Sequence, residues 1–299
     1  MKIKTRRYYL YYSARVLFFL VRLIPLRISQ TIAVFLGKAA FRLVRKYRGI
    51  TIANLDAVFS SDHKSNLRIA ERVFENIART GAEWIKLSSL DPKRIDDLVT
   101  EFQGAEYLDD TLSEGKGAIV LGFHFGNWEL LGLYLRQKGY EGNAVVRRIY
   151  FHKYDELLMQ MRRRFGVEGI YRDEFPKKIL RLLKKGGTLG ILADQDVDSV
   201  DGIFVDFFGR PAYTPTAPVK LAMAAKTKII PAFVIRKPDN TYRIVLEKPI
   251  DPSSGDSTRQ EDVKRYTRLW TAVLEEYVKR YPEQWVWLHS RWKTKEAAG

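Results

Sequence analysis

The chain has 299 residues, with 51 Lys and Arg against 35 Asp and Glu (formal charge +16), and is 46% hydrophobic and 13% aromatic. That composition supports a substantial core and excludes a disordered chain; the absence of cysteine excludes disulfides, thiolate metal sites and thiol nucleophiles. The surplus of positive charge implies a polyanionic partner: nucleic acid, an anionic membrane or an acidic carrier protein.

From Tyr8 to Pro25 the chain is apolar and aromatic, and only Arg15 and Arg22, seven residues apart and so on one helical face, are charged. Pro25 and Arg27 cut the run below the roughly 20 apolar residues that a membrane span needs. An aromatic helix with a basic stripe is read as lying in the membrane interface, a buried core helix being the alternative. No small-x-small cleavage site follows. The expectation is an uncleaved, anchored protein on the cytoplasmic face.

Helical spacing continues through Ile32, Phe35, Leu36, Ala39, Ala40 and Leu43, then Leu67, Ala70, Val73, Phe74 and Ile77. From Gly117 onward strands and helices alternate. Strands are predicted at 118–123, 144–146, 188–193, 229–235 and 242–246. The helices fall at 128–135, 154–165, 176–185, 216–225 and 263–281, the last with a clear 3.6-residue stripe. The fold class is α/β, a sheet flanked by helices, with an N-terminal helical membrane-associating region over residues 1–100 and a catalytic domain over 101–299.

Several familiar sites are absent. Gly115-Lys116-Gly117 precedes its strand, on the wrong side for a dinucleotide turn, and no phosphate loop or Gly-x-Ser-x-Gly occurs. Four histidines without cysteine make zinc a poor fit. Asp194, Asp196, Asp198 and Asp201 resemble a calcium loop, but Ser199 stands where the glycine belongs and Val205 where the glutamate does. No metal and no cofactor is expected.

Gly122-Phe123-His124-Phe125-Gly126-Asn127-Trp128-Glu129 remains. It sets an imidazole at the end of an apolar strand and a carboxylate five residues later in a helix's first turn, where α/β proteins place their sites. A neutral His oriented by a carboxylate is a general base; a satisfied structural histidine is the other reading. Asn127 reads first as a helix cap. Arg164, one turn past Met161, points toward an apolar stripe, which a bound phosphate or carboxylate would explain, as would an ion pair with Asp194 or Asp196.

These residues resemble a known family. His-x4-Glu is the hallmark of the glycerolipid (lysophospholipid-type) acyltransferases, and the run 122–129 is similar to the late acyltransferases of lipid A biosynthesis, the lauroyl and myristoyl transferases. The likeness runs from Ile24-Pro25-Leu26 through Tyr47 to Leu55, Arg163-Arg164-Phe165-Gly166, Leu192 to Asp196, Phe208 to Pro211 and Ile230-Pro231 to Pro282 to His289. It implies a mixed acyltransferase sheet and transfer of a fatty acyl chain from acyl carrier protein, or acyl-CoA, to a hydroxyl of a phosphorylated glycolipid. It also implies a bacterial inner-membrane location and no metal. On that resemblance His124 takes the acceptor's proton, Glu129 orients His124, and Asn127 belongs to the substrate-binding set. Arg164 sits near the oxyanion or an acceptor phosphate, and Asp194-Gln195-Asp196 completes the pocket wall. Related enzymes acylate other glycolipids, such as phosphatidylinositol mannosides.

Two rivals come from other classes. A membrane-associated glycosyltransferase could hold a divalent ion on Asp194 and Asp196, but leaves His124 and Glu129 idle. A basic binding module fits the charge, yet no helix-turn-helix spacing or stacking platform for nucleic acid is present.

Overall fold

The computed structural model describes residues 6–60, 62–172 and 176–296. Four helices come first: α1 (Arg6–Leu23), α2 (Leu26–Leu43), α3 (Arg45–Val58) and α4 (His63–Leu87). Pro25 stands at the N-cap of α2, where its fixed φ suits a helix start and its missing N–H prevents α1 from continuing. Asp62 caps α4 by accepting the Ser65 N–H at 2.9 Å. α2 lies so close along α4 that a Cβ on Gly37 would fall 2.7 Å from the Glu75 Cα, which is why glycine stands there. Among the described residues no helix is long and apolar enough to cross a membrane.

The remaining elements are β1 (Val99–Gln103), α5 (Ala105–Ser113), β2 (Ala118–Gly122), α6 (Glu129–Gln137), β3 (Asn143–Val146) and α7 (His152–Arg164). They continue with β4 (Glu168–Tyr171), α8 (Pro176–Lys184), β5 (Thr188–Leu192), β6 (Gly202–Phe207), β7 (Arg210–Pro215) and α9 (Ala217–Ala225). β8 (Lys228–Arg236), β9 (Tyr242–Leu246) and α10 (Gln260–Arg280) complete them. The elements expected from Gly117 onward all form, displaced by at most three residues. A seven-stranded sheet runs β1-β9-β8-β2-β5-β3-β4, while β6 and β7 make a separate hairpin. Only β8 and β9 pair antiparallel within it, so the sheet is mixed and flanked by helices.

Strand alternation sorts the core into two sides. Ile119, Leu121, Leu189, Phe233 and Ile235 pack with residues of α8, α9 and α10, and with Leu55, Ala70 and Val73 of α3 and α4. Phe233 stacks on Tyr277 at 3.6 Å and on Phe123 at 4.7 Å. Ala118, Val120, Ile230 and Val234 face the other way, against Leu108 of α5, Leu130 and Tyr134 of α6 and Met161 of α7.

Candidate active site

β2 and β5 run parallel with Gly122 opposite Leu192. Two residues beyond those ends the chain carries His124 and Asp194, so the register alone sets them side by side at the sheet's C-terminal edge. His124 Nδ1 lies 2.7 Å from Asp194 Oδ1, and the His124 backbone N–H donates to Asp194 Oδ2 at 2.9 Å. Trp285 Nε1 donates to the same Oδ2 at 2.9 Å. The Trp285 contact depends on a segment after α10 that pairs with the histidine loop. The Gly126 N–H donates to the Gln284 carbonyl at 2.9 Å and the Val286 N–H to the His124 carbonyl at 3.0 Å. Gly126 itself has φ +56°, and a Cβ there would fall on the Val234 carbonyl oxygen, so only glycine fits.

Asp194 is 1% exposed. Burial alone would raise its pKa, but the charge and hydrogen bonds of His124, helped by Trp285, bring it down to about 2. Asp194 is therefore a carboxylate at neutral pH. Nδ1 of His124 faces that carboxylate, an arrangement that in a neutral imidazole would leave Nε2 as the acceptor nitrogen. His289 stands 5.9 Å away ring to ring; burial and then the charge of His124 lower its pKa.

Four of the expected residues make other contacts than their spacing suggested. Glu129 bonds Arg162 and not His124. Its two oxygens accept from Arg162 Nη2 at 2.7 Å and Nε at 3.1 Å, and Asp194, contacted through the strand register, holds the imidazole instead. Asn127 is not a helix cap, because α6 starts at Glu129 with no side-chain cap; its Nδ2 donates to Glu83 at 2.9 Å. Arg164 makes no ion pair with Asp194 or Asp196: it is exposed and donates Nη1 to the Ser88 carbonyl at 2.9 Å. The arginine on the apolar side of α7 is Arg162, which is i+4 from Leu158. Gln195 bonds the His289 ring at 2.5 Å, and Asp196 accepts from Thr294 N–H and Oγ1 at 2.8 and 2.6 Å. The 194–196 turn thus ties the histidine to the segment after α10 and does not line the apolar cleft described next.

That cleft lies between α6 and the sheet. Glu129, Arg162 and Trp128 stand at the catalytic end with Gly122 and Leu192, and Thr188, Asn143 and Val167 stand at the far end. Thr188 to Leu192 spans about 13 Å at strand rise. Gly190 of β5 and Gly132 of α6 line it without filling it: a Cβ on either would make only ordinary contacts.

Beneath the loop sits a polar network with no counterpart in the sequence reading. Glu83 of α4, 2% exposed, accepts from Gln30 of α2 at 2.7 Å, Asn127, Arg236 of β8 and Tyr242 of β9. Thr80 donates to the Gly126 carbonyl at 3.1 Å, and Gln284 exchanges hydrogen bonds with the Arg236 backbone. A buried Glu–Arg pair is tolerable only with hydrogen bonds around it; here the Glu83 carboxylate is well supplied, while Arg236 Nε and Asn127 Oδ1 are buried without a partner. The network clamps Gly126 and Asn127. Among the described residues no three acidic or histidine side chains gather as a metal cluster, and the carboxylates of Asp194 and Asp196 are committed to His124 and Thr294.

An imidazole held by a buried carboxylate at the C-terminal edge of an α/β sheet, its ring 5.2 Å from that of Trp128 in the lining of an apolar cleft, is an arrangement that can serve acid–base chemistry. The profile of the family described as "Bacterial lipid A biosynthesis acyltransferase" matches residues 1–294, and the chain belongs to that family; it is an acyltransferase. It is similar to the lipid A biosynthesis lauroyltransferase of Escherichia coli, 27% identical over 97% of this chain and 93% of that protein. It is also similar to the E. coli lipid A biosynthesis myristoyltransferase, 24% identical over 92% and 84%. A phosphatidylinositol mannoside acyltransferase of Mycobacterium tuberculosis is 25% identical over 63% of this chain and 58% of its own length.

Proposed function

We propose that this enzyme moves a fatty acyl chain from acyl carrier protein, or acyl-CoA, to a hydroxyl of a phosphorylated glycolipid, foremost a lipid A precursor, at the cytoplasmic face of the bacterial inner membrane. The observation that carries the reading is the His124–Asp194 pair next to Trp128, which lines the α6 cleft and lies 5.2 Å from the imidazole ring to ring. The acyl chain lies in the channel with its thioester carbonyl at Trp128 and Glu129. His124 Nε2 takes the proton as the hydroxyl oxygen bonds to the carbonyl carbon. Collapse of the tetrahedral oxyanion breaks the C–S bond, and the imidazolium returns the proton to the leaving thiolate. Glu129 fixes Arg162 at the channel mouth, leaving Nη1 for the developing oxyanion.

Attachment to the membrane runs through the N-terminal helices. α1 exposes Tyr9, Tyr12, Val16, Leu17, Phe19 and Leu20, and α2 exposes Ile28, Ile32, Phe35 and Leu36, a concentration of large exposed apolar side chains that fits an interfacial surface. The second reading is the same chemistry on another glycolipid, favoured by the mycobacterial relative.

The deciding experiment is mass spectrometry of membrane lipids from cells making the wild type or His124→Ala. A glycolipid heavier by one acyl group only with the wild type supports the reading and identifies acceptor and chain length. The same lipid acylated by His124→Ala at the wild-type rate overturns the mechanism, and a sugar-sized gain overturns acyl transfer.

A further inference from the structure

His124 has a second histidine for a neighbour. The segment after α10 that pairs with the histidine loop runs on to His289, whose ring lies 5.9 Å from that of His124, centre to centre. Gln195 Nε2 stands 2.5 Å from His289 Nε2, an arrangement that in a neutral ring would leave Nδ1 as the N–H. Nδ1 of His289 has no hydrogen-bond partner among the described residues. The residue keeps part of its surface open to solvent, as does His124, whose side chain is 21% exposed. Burial first, then the charge of His124, lower the pKa of His289 against the opposing pull of Asp194, a direction that favours the neutral ring.

A structural tie is the ordinary explanation of a Gln–His contact. The terminal segment, however, is fastened without it. Asn54 of α3 donates to the carbonyls of Trp287 and His289 at 2.9 and 2.8 Å, Trp285 reaches Asp194, and Thr294 bonds Asp196 twice. None of these bonds uses the His289 ring. Its place beside His124 is the more telling fact. Nδ1 of His124 is taken by Asp194, and Trp128, which flanks the imidazole, lines the apolar cleft. His289 does not line that cleft. Of the two rings beside His124, one belongs to the apolar cleft and the other offers a free polar nitrogen outside it.

We propose that His289 holds the acceptor: its free ring nitrogen hydrogen-bonds an oxygen next to the reacting hydroxyl while His124 takes the proton from that hydroxyl. The inference rests on the acyl-transfer reading above and adds a second imidazole to it. The acyl chain approaches along Trp128, and the acceptor arrives on the side of His289. A hydrogen bond reaches about 3 Å from its nitrogen, so rings centred 5.9 Å apart can grip neighbouring oxygens of one molecule. The proton leaves the hydroxyl for His124 as the oxygen bonds to the carbonyl carbon, the C–S bond breaks, and the thiolate takes the proton from His124. His289 gains and loses no proton; its hydrogen bond fixes the acceptor in the attacking position. The preferred acceptor carries paired oxygens, as sugar and glycerol units do, and Gln195 acts through His289 as a positioning residue.

The test follows acyl transfer from acyl-CoA, in detergent micelles, to a lipid A precursor, to glycerol monododecyl ether with its neighbouring hydroxyls, and to dodecanol with a lone one. His289→Phe keeps a ring and removes both nitrogens, and His289→Asn keeps a polar atom near the place of Nδ1. For the precursor and the ether, His289→Phe should lower kcat/KM about 3- to 10-fold, the worth of one neutral hydrogen bond, with the KM for acyl-CoA kept. His289→Asn should recover most of that loss. The loss with dodecanol should be smaller, since that acceptor has no second oxygen to hold, whereas His124→Ala should lose transfer to all of them alike. Equal losses for ether and dodecanol in His289→Phe would make the ring a support of the histidine loop and overturn the proposal. Full activity of His289→Phe toward the ether and the precursor would overturn it as well. A wild type that acylates the ether and not the precursor sinks the glycolipid reading, and the comparison of ether with dodecanol still decides the role of His289.

Discussion

On one face of the sheet Phe123, Phe233 and Tyr277 stack on one another and Trp270 is wholly buried. On the other face, Gly122, Gly190 and Ala144 of β2, β5 and β3 stand opposite Gly132 of α6, and a channel is left between them. Both faces are lined by apolar residues of the same strands, alternating one by one. The difference is that one side fills its space with rings, and the other removes side chains along a single line. Rings on the first face hold the strands still, so that small residues on the second can leave a void of fixed shape without collapse. His124 and Asp194 stand at the edge where the two faces meet.

Changes at that edge should be the most damaging to turnover while leaving both faces intact. His124→Ala should lower kcat by about 10²–10⁴-fold with normal folding and membrane attachment. Asp194→Asn should approach the same loss and also distort the pH–rate profile, because the imidazole then loses its fixed tautomer. A normal profile in that variant would reduce Asp194 to scaffolding. On the packed face, Trp270→Ala should cost about 3–5 kcal/mol in denaturant unfolding yet leave the length of the transferred chain unchanged. On the channel face, Gly132→Leu should cost less, about 1–3 kcal/mol, and shift the products to shorter chains when a mixture of donors is offered. Chain length that ignored Gly132→Leu would place the acyl group elsewhere.

The smallest effect concerns acid. Against the upward push of burial, the charge and hydrogen bonds of His124 hold the pKa of Asp194 down to about 2, below the 3.8 of an ordinary aspartate, so its contribution to stability is complete above about pH 4 and is lost as pH falls toward 2. His289, also held below its usual value, weakens the fold in the same direction as pH drops below 6.5, because the unfolded chain takes up that proton first. Thermal unfolding against pH should show both phases, with Asp194→Asn deleting the lower one and His289→Phe the upper.

Most elements after Gly117 were legible because each buried central strand is a short apolar run and most of the helices end in a glycine or a basic turn. The β6–β7 hairpin was passed over although β6 alternates buried with more exposed residues, and the edge strands were missed because Val-Thr-Glu-Phe-Gln of β1 and Glu-Gly-Ile-Tyr of β4 each bury a single side chain. In the site, His124 was visible as an imidazole at the end of an apolar strand. Its partner was missed because nearness in sequence favoured Glu129, whereas the contact arises from the parallel pairing of β2 with β5. A signal existed, since Gly-Phe-His and Leu-Ala-Asp each set a polar residue two places past a buried strand. Glu83 and Arg236 lay hidden for a different reason. A charged residue within an apolar stripe reads as solvent-facing until the partner that neutralises it is known.

Trp285 reaches Asp194 only because residues 284–286 zip onto the histidine loop. That loop leaves the ribosome long before they do. Throughout most of its synthesis the growing polypeptide can carry the sheet, the cleft and the N-terminal helices, with the loop unpaired and Asp194 without its Trp285 partner. Whatever depends on a fixed His124–Asp194 pair therefore waits for residues 284–286. A product cut short between α10 and Trp285 would keep the cleft and lose the clasp on the histidine loop.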